Sequence, residues 1–245
     1  MAGHCRMEIW LRAIGSEELP VLPNVQRTFD IGHLVERAMF DGFAGALVGN
    51  EPDIPPWWPQ IEEVVDYEKG TSIVPAYWDL VPGSRQKEVE LDGFVGHIDA
   101  LVSNGKGPIG LLDCKTAPSL TWDRNLKGDL LANPFSREYV LQLHWYRAAL
   151  GVPAVDWMAL LYVNKENSKV MMRVVDYDPD LEAEAKERLS WAKSGAEPTP
   201  DWVWDKAKPI PLRCGYCSFK DSCAEMRGVE LDLRPEKGTP KWFVK

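Results

Sequence analysis

Long apolar runs are missing from this 245-residue chain. No stretch is long enough to span a bilayer, and no basic-then-apolar signal segment opens the sequence, so the expected location is the cytoplasm, with no membrane partner. Positive charge is also in short supply: 28 Lys and Arg stand against 37 Asp and Glu, a net charge of −9. That balance excludes a general nucleic-acid coat protein, which binds by neutralising phosphates with surplus cations. It leaves room for an enzyme that takes nucleic acid into a local groove where divalent ions offset carboxylates. Internal repeats, low-complexity tracts, a Walker A sequence and a dinucleotide-binding glycine pattern are all absent. Cysteine is scarce, with five residues. In a cytosolic chain of this size they do not read as a disulfide framework, so their spacing is read for metal binding or reactivity.

The length suits one core, with a small appendage at most. Apolar spacing predicts a helix from Met7 to Ile14 with Cys5 at its start, then a Pro-rich loop from Leu19 to Asn24. A second helix is expected from Phe29 to about Leu47, with Ile31, Leu34, Val35, Ala38 and Met39 as a buried stripe and Glu36 beside it. Prolines make 52–59 a loop, in which Trp57 and Trp58 read as packed rather than as a stacking surface. Gln86–Leu91 reads as a strand ending in the hairpin signal Asp92-Gly93. It adds a third strand before a central pair, Phe94–Val102 and the strand carrying Asp113. The segment 120–136 is irregular and offers Trp122, Arg124 and Lys127 to a ligand. A helix Arg137–Leu150, stopped by Gly151 and Pro153, precedes strands Val155–Val163 and Lys169–Val175 and a charged helix Pro179–Lys193. This order predicts an α/β domain with a mixed sheet.

The central pair holds the chemistry. Asp99 sits in an otherwise apolar strand, where a carboxylate is costly unless it is paired or holds a metal. On the next strand, Asp113 and Lys115 share one face while Cys114 points to the other. Two carboxylates and a lysine on one face are the parts a metal-dependent phosphodiesterase needs: hard oxygen ligands for Mg²⁺ or Mn²⁺, and a cation beside the attacked phosphate and the water. An ordinary surface ion pair is the plain alternative for Asp113 and Lys115.

Asp99 followed by Asp113-x-Lys115 resembles the PD-(D/E)xK nuclease superfamily. Gln142-x-x-x-Tyr146 puts two polar groups on one helix face. On a helix after the Asp-x-Lys strand, it resembles the RecB-like branch. Gly32 to Glu36 resembles the Gly-x-x-x-His/Glu element of an early helix in that branch, here with Glu. The resemblance implies a restriction-endonuclease-like α/β core, a mixed central β-sheet flanked by helices. It implies one nuclease domain over residues 1–245, with a core at about 28–195 and an appendage formed by 1–15 and 196–245.

Cys214, Cys217 and Cys223 have the spacing of a metal or cluster site that needs a fourth ligand, which Cys5 supplies if the termini meet. Cys114 reads as a small core residue. One early cysteine and three late ones resemble the iron–sulfur members of this branch, the AddB-type domains and the small exonucleases of CRISPR adaptation and of phages. There a [4Fe-4S] cluster joins the termini. A structural Zn²⁺ on four cysteines, or on three with His4, is the alternative.

The resemblance implies that Asp99, Asp113, Glu36 and the Cys114 main-chain carbonyl hold Mg²⁺ or Mn²⁺, with Lys115 helping to orient and deprotonate the attacking water. Gln142 and Tyr146 would position the strand, and His97 would contact a phosphate or simply line the cleft. The expected activity is a DNA exonuclease that works from linear ends, single-stranded or duplex, and leaves 5′-phosphates. It would serve phage or prokaryotic recombination, repair or processing, with a helicase, recombinase or integrase as partner. A prespacer-trimming nuclease of CRISPR adaptation and a non-catalytic DNA-end-binding module are the rival readings.

Overall fold

A six-stranded mixed sheet is the centre of one of two compact units, Arg27–Ala185; the other unit joins Met1–Gln26 to Lys186–Lys245. The computed structural model describes residues 4–20, 23–45, 61–65, 79–103, 109–119, 128–151, 155–167, 170–199, 201–202, 204–205, 208–215, 217–234 and 241–244. In chain order the elements are α1 (Arg6–Ala13), α2 (Pro23–Gly45), β1 (Ile61–Val65), β2 (Asp79–Leu80), β3 (Lys87–Leu91), β4 (Phe94–Ile98), β5 (Ala100–Ser103), β6 (Ile109–Ala117), α3 (Pro134–Leu150), β7 (Trp157–Asn164), β8 (Val170–Val175), α4 (Pro179–Ser194), α5 (Leu212–Gly215), α6 (Lys220–Met226), β9 (Leu231–Arg234) and β10 (Lys241–Val244).

The large sheet runs β1-β8-β7-β6-β5-β2, with β6–β7 and β1–β8 parallel and the other pairs antiparallel. Strand β7 is apolar along most of its length and buried at Met158 to Asn164, as a strand covered on both faces must be. On one face, Phe40 of α2 is fully buried against Ala100, Leu112, Cys114, Leu161 and Met172, with Val35 at the edge. The other face presents Asp113 and Lys115 toward α3, where the Lys115 ammonium lies 4.8 Å from the centre of the Tyr139 ring. Helix α3 is sharply delimited. The Asn133 side chain accepts from the Phe135 N–H, Pro134 opens the first turn, and Gly151 ends the helix at φ +79°.

Several expectations change. Helix α2 starts at Pro23, six residues early, because proline suits a first turn whose N–H has no partner. Its stripe is only partly buried: Ile31 and Leu34 are 48% and 63% exposed, while Phe40 is seated in the core. The segment expected as one strand, Phe94–Val102, breaks at Asp99. Strand β4 pairs only with β3 in a separate hairpin, and β5 enters the large sheet. The third strand therefore extends β4 and not the central sheet. Its turn does follow the Asp-Gly signal, with Asp92 at φ +54° and Gly93 at φ +74°. Trp57, Trp58, Trp122, Arg124 and Lys127 lie outside the described residues.

In the second unit, Met7, Trp10 and Leu11 of α1 pack with Phe219 and Cys223. Asp201 accepts from the Arg6 backbone and guanidinium and from Arg188, and the Leu19 N–H donates to the Ser218 carbonyl. The first residues of the chain are thereby tied to the last sixty. None of the five cysteines is in a disulfide.

Candidate active site

Register brings the two aspartates together. Ala100 faces Leu112 in the antiparallel pair β5–β6, so the next step of that ladder sets Asp99 opposite Asp113. The break at Asp99 frees its carboxylate to turn back, and Oδ2 accepts from the Cys114 N–H at 2.6 Å. Asp113 is 1% exposed, and both of its oxygens are buried without an aligned hydrogen bond among the described residues. The Lys115 ammonium lies 2.6 Å from Asp113 Oδ2, an ion pair by distance.

Charge crowding follows from this geometry. Burial, then the neighbouring Asp113 and Glu36, push the Asp99 carboxyl up to about 8. Burial by itself would lower Lys115, but Asp113 and Asp99 outweigh it and hold the lysine above its ordinary range. Lys115 is therefore a fixed cation here, placed to orient the water and not to deprotonate it as expected. The Tyr146 hydroxyl is raised to about 12, first by burial and then by Asp113.

Glu36, reached from α2, joins the aspartates through Gln86. The Gln86 carboxamide nitrogen donates to Glu36 Oε1 at 2.6 Å and stands 3.4 Å from Asp99 Oδ1. Gln142 donates to the Tyr146 hydroxyl at 2.8 Å, which fixes the pair on α3 as one polar unit. His97, expected to contact a phosphate or line the cleft, is placed apart from Asp99. It lies on the outer side of the β3–β4 hairpin, 54% exposed and 3.7 Å from Glu88. The inward positions of β4 are Gly96 and Ile98. A Cβ at Gly96 would come within 2.7 Å of Trp145 and 2.8 Å of Tyr146, so glycine is what lets the hairpin approach α3. The Cys114 thiol faces the apolar core, where burial raises it well above its ordinary value.

Sequence reasoning missed Gln86 and Tyr139. Tyr139 stands one turn before Gln142 on the same helix, a spacing that was available as a signal. Gln86 carried none, since only the folded turn brings it to Glu36.

Can these residues hold a divalent ion? No group of three or more His, Cys, Asp or Glu side chains is gathered around one metal position among the described residues. The donor set nevertheless suits a hard cation. Asp113 Oδ1 is buried with no donor among the described residues, and burial followed by the like charge of Asp113 raises the Asp99 carboxyl, an effect that a cation would oppose.

Comparison with protein families decides the assignment: residues 36–224 match the PD-(D/E)XK nuclease superfamily. The chain belongs to the PD-(D/E)XK nuclease superfamily. The match begins at Glu36 and includes Asp99, Asp113, Lys115, Gln142 and Tyr146, and the mixed sheet between helices is the restriction-endonuclease-like fold of that superfamily. No curated protein matches the chain. The solved structure of SSO0001 is similar at 16% identity and a TM-score of 0.43, over 91% of this chain and 83% of that one. The superfamily assignment rests on the family match alone. A PD-(D/E)XK nuclease acts on DNA, and no helix among the described residues is long and apolar enough to cross a membrane.

The cysteines of the PD-(D/E)XK chain converge as well. Cys5, Cys214, Cys217 and Cys223 line one cavity of about 30 Å³, together with Trp202 and Trp204. Burial raises Cys5, and it raises Cys214 to about 11, with Cys5 and Cys223 adding to the effect. As placed, the four thiols are not drawn to a common metal position. Their chemistry, four sulfurs in an aromatic, half-buried pocket, suits a thiolate-bound metal or cluster.

Proposed function

We propose that this chain is a metal-dependent exodeoxyribonuclease that hydrolyses phosphodiester bonds from DNA ends and leaves 5′-phosphates. The observation that carries this reading is Asp113. It is a buried carboxylate with one oxygen, Oδ1, that meets no donor among the described residues and the other paired with a lysine held in its charged form, set across from Asp99. A site that only stabilised the fold would have satisfied Oδ1 as well.

Asp99, Asp113, Glu36 and the Cys114 carbonyl would hold one or two Mg²⁺ or Mn²⁺ ions. Bound there, such an ion neutralises the scissile phosphate and makes water a stronger nucleophile at neutral pH. Lys115 places a fixed positive charge beside the attacked phosphate and orients the water. It offsets charge that grows on the phosphoryl oxygens as the 3′-oxygen leaves. The Gln142–Tyr146 pair offers an amide and a hydroxyl to the strand, and a hydroxyl raised to about 12 stays protonated as a donor. His97 lies outside this arrangement and would meet the substrate only beyond the scissile bond.

The second part of the reading concerns Cys5, Cys214, Cys217 and Cys223. We propose that they bind a [4Fe-4S] cluster with a structural role, joining the two ends of the chain; a zinc ion would do the same mechanical work. A role in phage or prokaryotic recombination, repair or prespacer trimming, with a helicase, recombinase or integrase as partner, extends the same reading.

The test is a cleavage assay on anaerobically purified protein. End-labelled linear single-stranded DNA, linear duplex and closed circles are incubated with Mg²⁺ or Mn²⁺, beside Asp113→Ala. Loss of the linear substrates only, abolished in the variant, is the expected result, and the label gives the direction. Nicking of circles would make it an endonuclease. No cleavage of any substrate would leave a DNA-end-binding module.

A further inference from the structure

A glutamine that no motif contains ties the acidic site together. Gln86 has φ +48°, a left-handed backbone that an L residue other than glycine, asparagine or aspartate rarely adopts. The turn that carries it is anchored on Leu101 of β5 and on Asp99 just before that strand. Val81 N–H donates to the Leu101 carbonyl, the buried Ser84 hydroxyl both donates to that carbonyl and accepts from the Leu101 N–H, and the Gln86 N–H donates to the Asp99 carbonyl at 3.3 Å. So many restraints can hold a strained residue in place. They do not explain why the residue is glutamine, since glycine or asparagine would sit in the same turn with less strain.

The side chain supplies the reason. A carboxamide nitrogen has two N–H donors, and carboxylates offer acceptors only. One donor reaches Glu36 Oε1 at 2.6 Å, while the same nitrogen stands 3.4 Å from Asp99 Oδ1. Glu36 comes from α2 and Asp99 from the break between β4 and β5, and like charge would drive the two apart once both are ionised. We propose that Gln86 is a positioning residue of the nuclease site, whose carboxamide holds Glu36 of α2 beside Asp99 so that the two carboxylates are presented together to a divalent cation. This rests on the metal-dependent reading given above. Asparagine, one methylene shorter, would keep the left-handed turn and lose the reach to Glu36.

Gln86→Asn and Gln86→Gly separate positioning from a role in the turn. The measurements are Mn²⁺ affinity, from the electron paramagnetic resonance signal of free Mn²⁺, and the Tm of the metal-free protein. The expected result is a Tm equal to or above wild type in both variants, with Mn²⁺ affinity lowered about tenfold, the scale on which residues that orient metal ligands act. Unchanged affinity in both variants would overturn the proposal. So would a loss of affinity that only accompanies a fall in Tm, because the residue would then serve the turn. If wild type itself bound no Mn²⁺, the metal-dependent reading would fall and the proposal with it, an outcome separate from a variant that matches a binding wild type.

Discussion

The Lys115 ammonium stands 2.6 Å from Asp113 Oδ2, and the carboxylate it faces is 1% exposed. The lysine is more open, at 19%, and its far side meets the Tyr139 ring. The pair is thus asymmetric. Removing the cation strands a buried negative charge, whereas neutralising the carboxylate leaves a lysine that still has a ring face and some solvent.

That asymmetry separates stability from activity. Lys115→Ala is expected to lower stability by about 3–5 kcal/mol, the effect of leaving one buried partner unpaired. Asp113→Asn should cost much less. Cleavage should fall by about 10²–10³-fold or more in both. Urea unfolding beside the nuclease assay checks this; equal stability losses would show that Asp113 is better solvated than its position indicates.

Metal binding at the proposed site is expected to depend on pH through Asp99. Its carboxyl is pushed up to about 8 in the fold from an ordinary 3.8. Between those values the folded chain binds more protons than the unfolded chain. The stability of the metal-free protein should therefore decline as pH rises from about 4 to about 8. Mn²⁺ needs the ionised carboxylate, so at pH 7 its binding should release close to one proton from this group. Calorimetry in buffers of different ionisation enthalpy measures the release, and its absence would mean that Asp99 is already ionised.

Two glycines should respond in opposite ways to alanine. At Gly96 the new Cβ would press on Trp145 and Tyr146 at 2.7 and 2.8 Å, forcing the hairpin from α3. Gly96→Ala is expected to destabilise by about 1–3 kcal/mol and, by moving Tyr146, to lower cleavage too. At Gly32, inside α2, the nearest atom is Thr116 Oγ1 at an ordinary 3.6 Å. Gly32→Ala should therefore stabilise the helix by about 0.5–1 kcal/mol. Denaturant midpoints decide both.

The cysteine pocket predicts its own composition. Anaerobic protein should contain iron and acid-labile sulfide in equal amounts, and Cys223→Ala should lose both with a marked fall in Tm. Zinc without sulfide would replace the cluster by a structural ion while leaving the four ligands in place.

Much of this chain could be read before any fold was known. Side-chain alternation sets Asp113 and Lys115 on one face and Cys114 on the other, and the i, i+4 spacing of Gln142 and Tyr146 allows the hydrogen bond found between them. The Asp92-Gly93 turn and the stop of α3 at Gly151, though not its start at Pro134 ahead of the expected Arg137, follow from backbone preferences that act over a few residues. These are local rules, so the sequence by itself determined them, along with the superfamily. Tertiary structure decided what no local rule reaches. It broke the strand at Asp99 and sent its halves to different sheets, turned His97 outward opposite Glu88, and left Ile31 and Leu34 exposed while Phe40 entered the core. It also gave Gln86 its place between Glu36 and Asp99. Each of these depends on which surfaces meet across long stretches of chain, and periodicity along one segment carries no information about its partner.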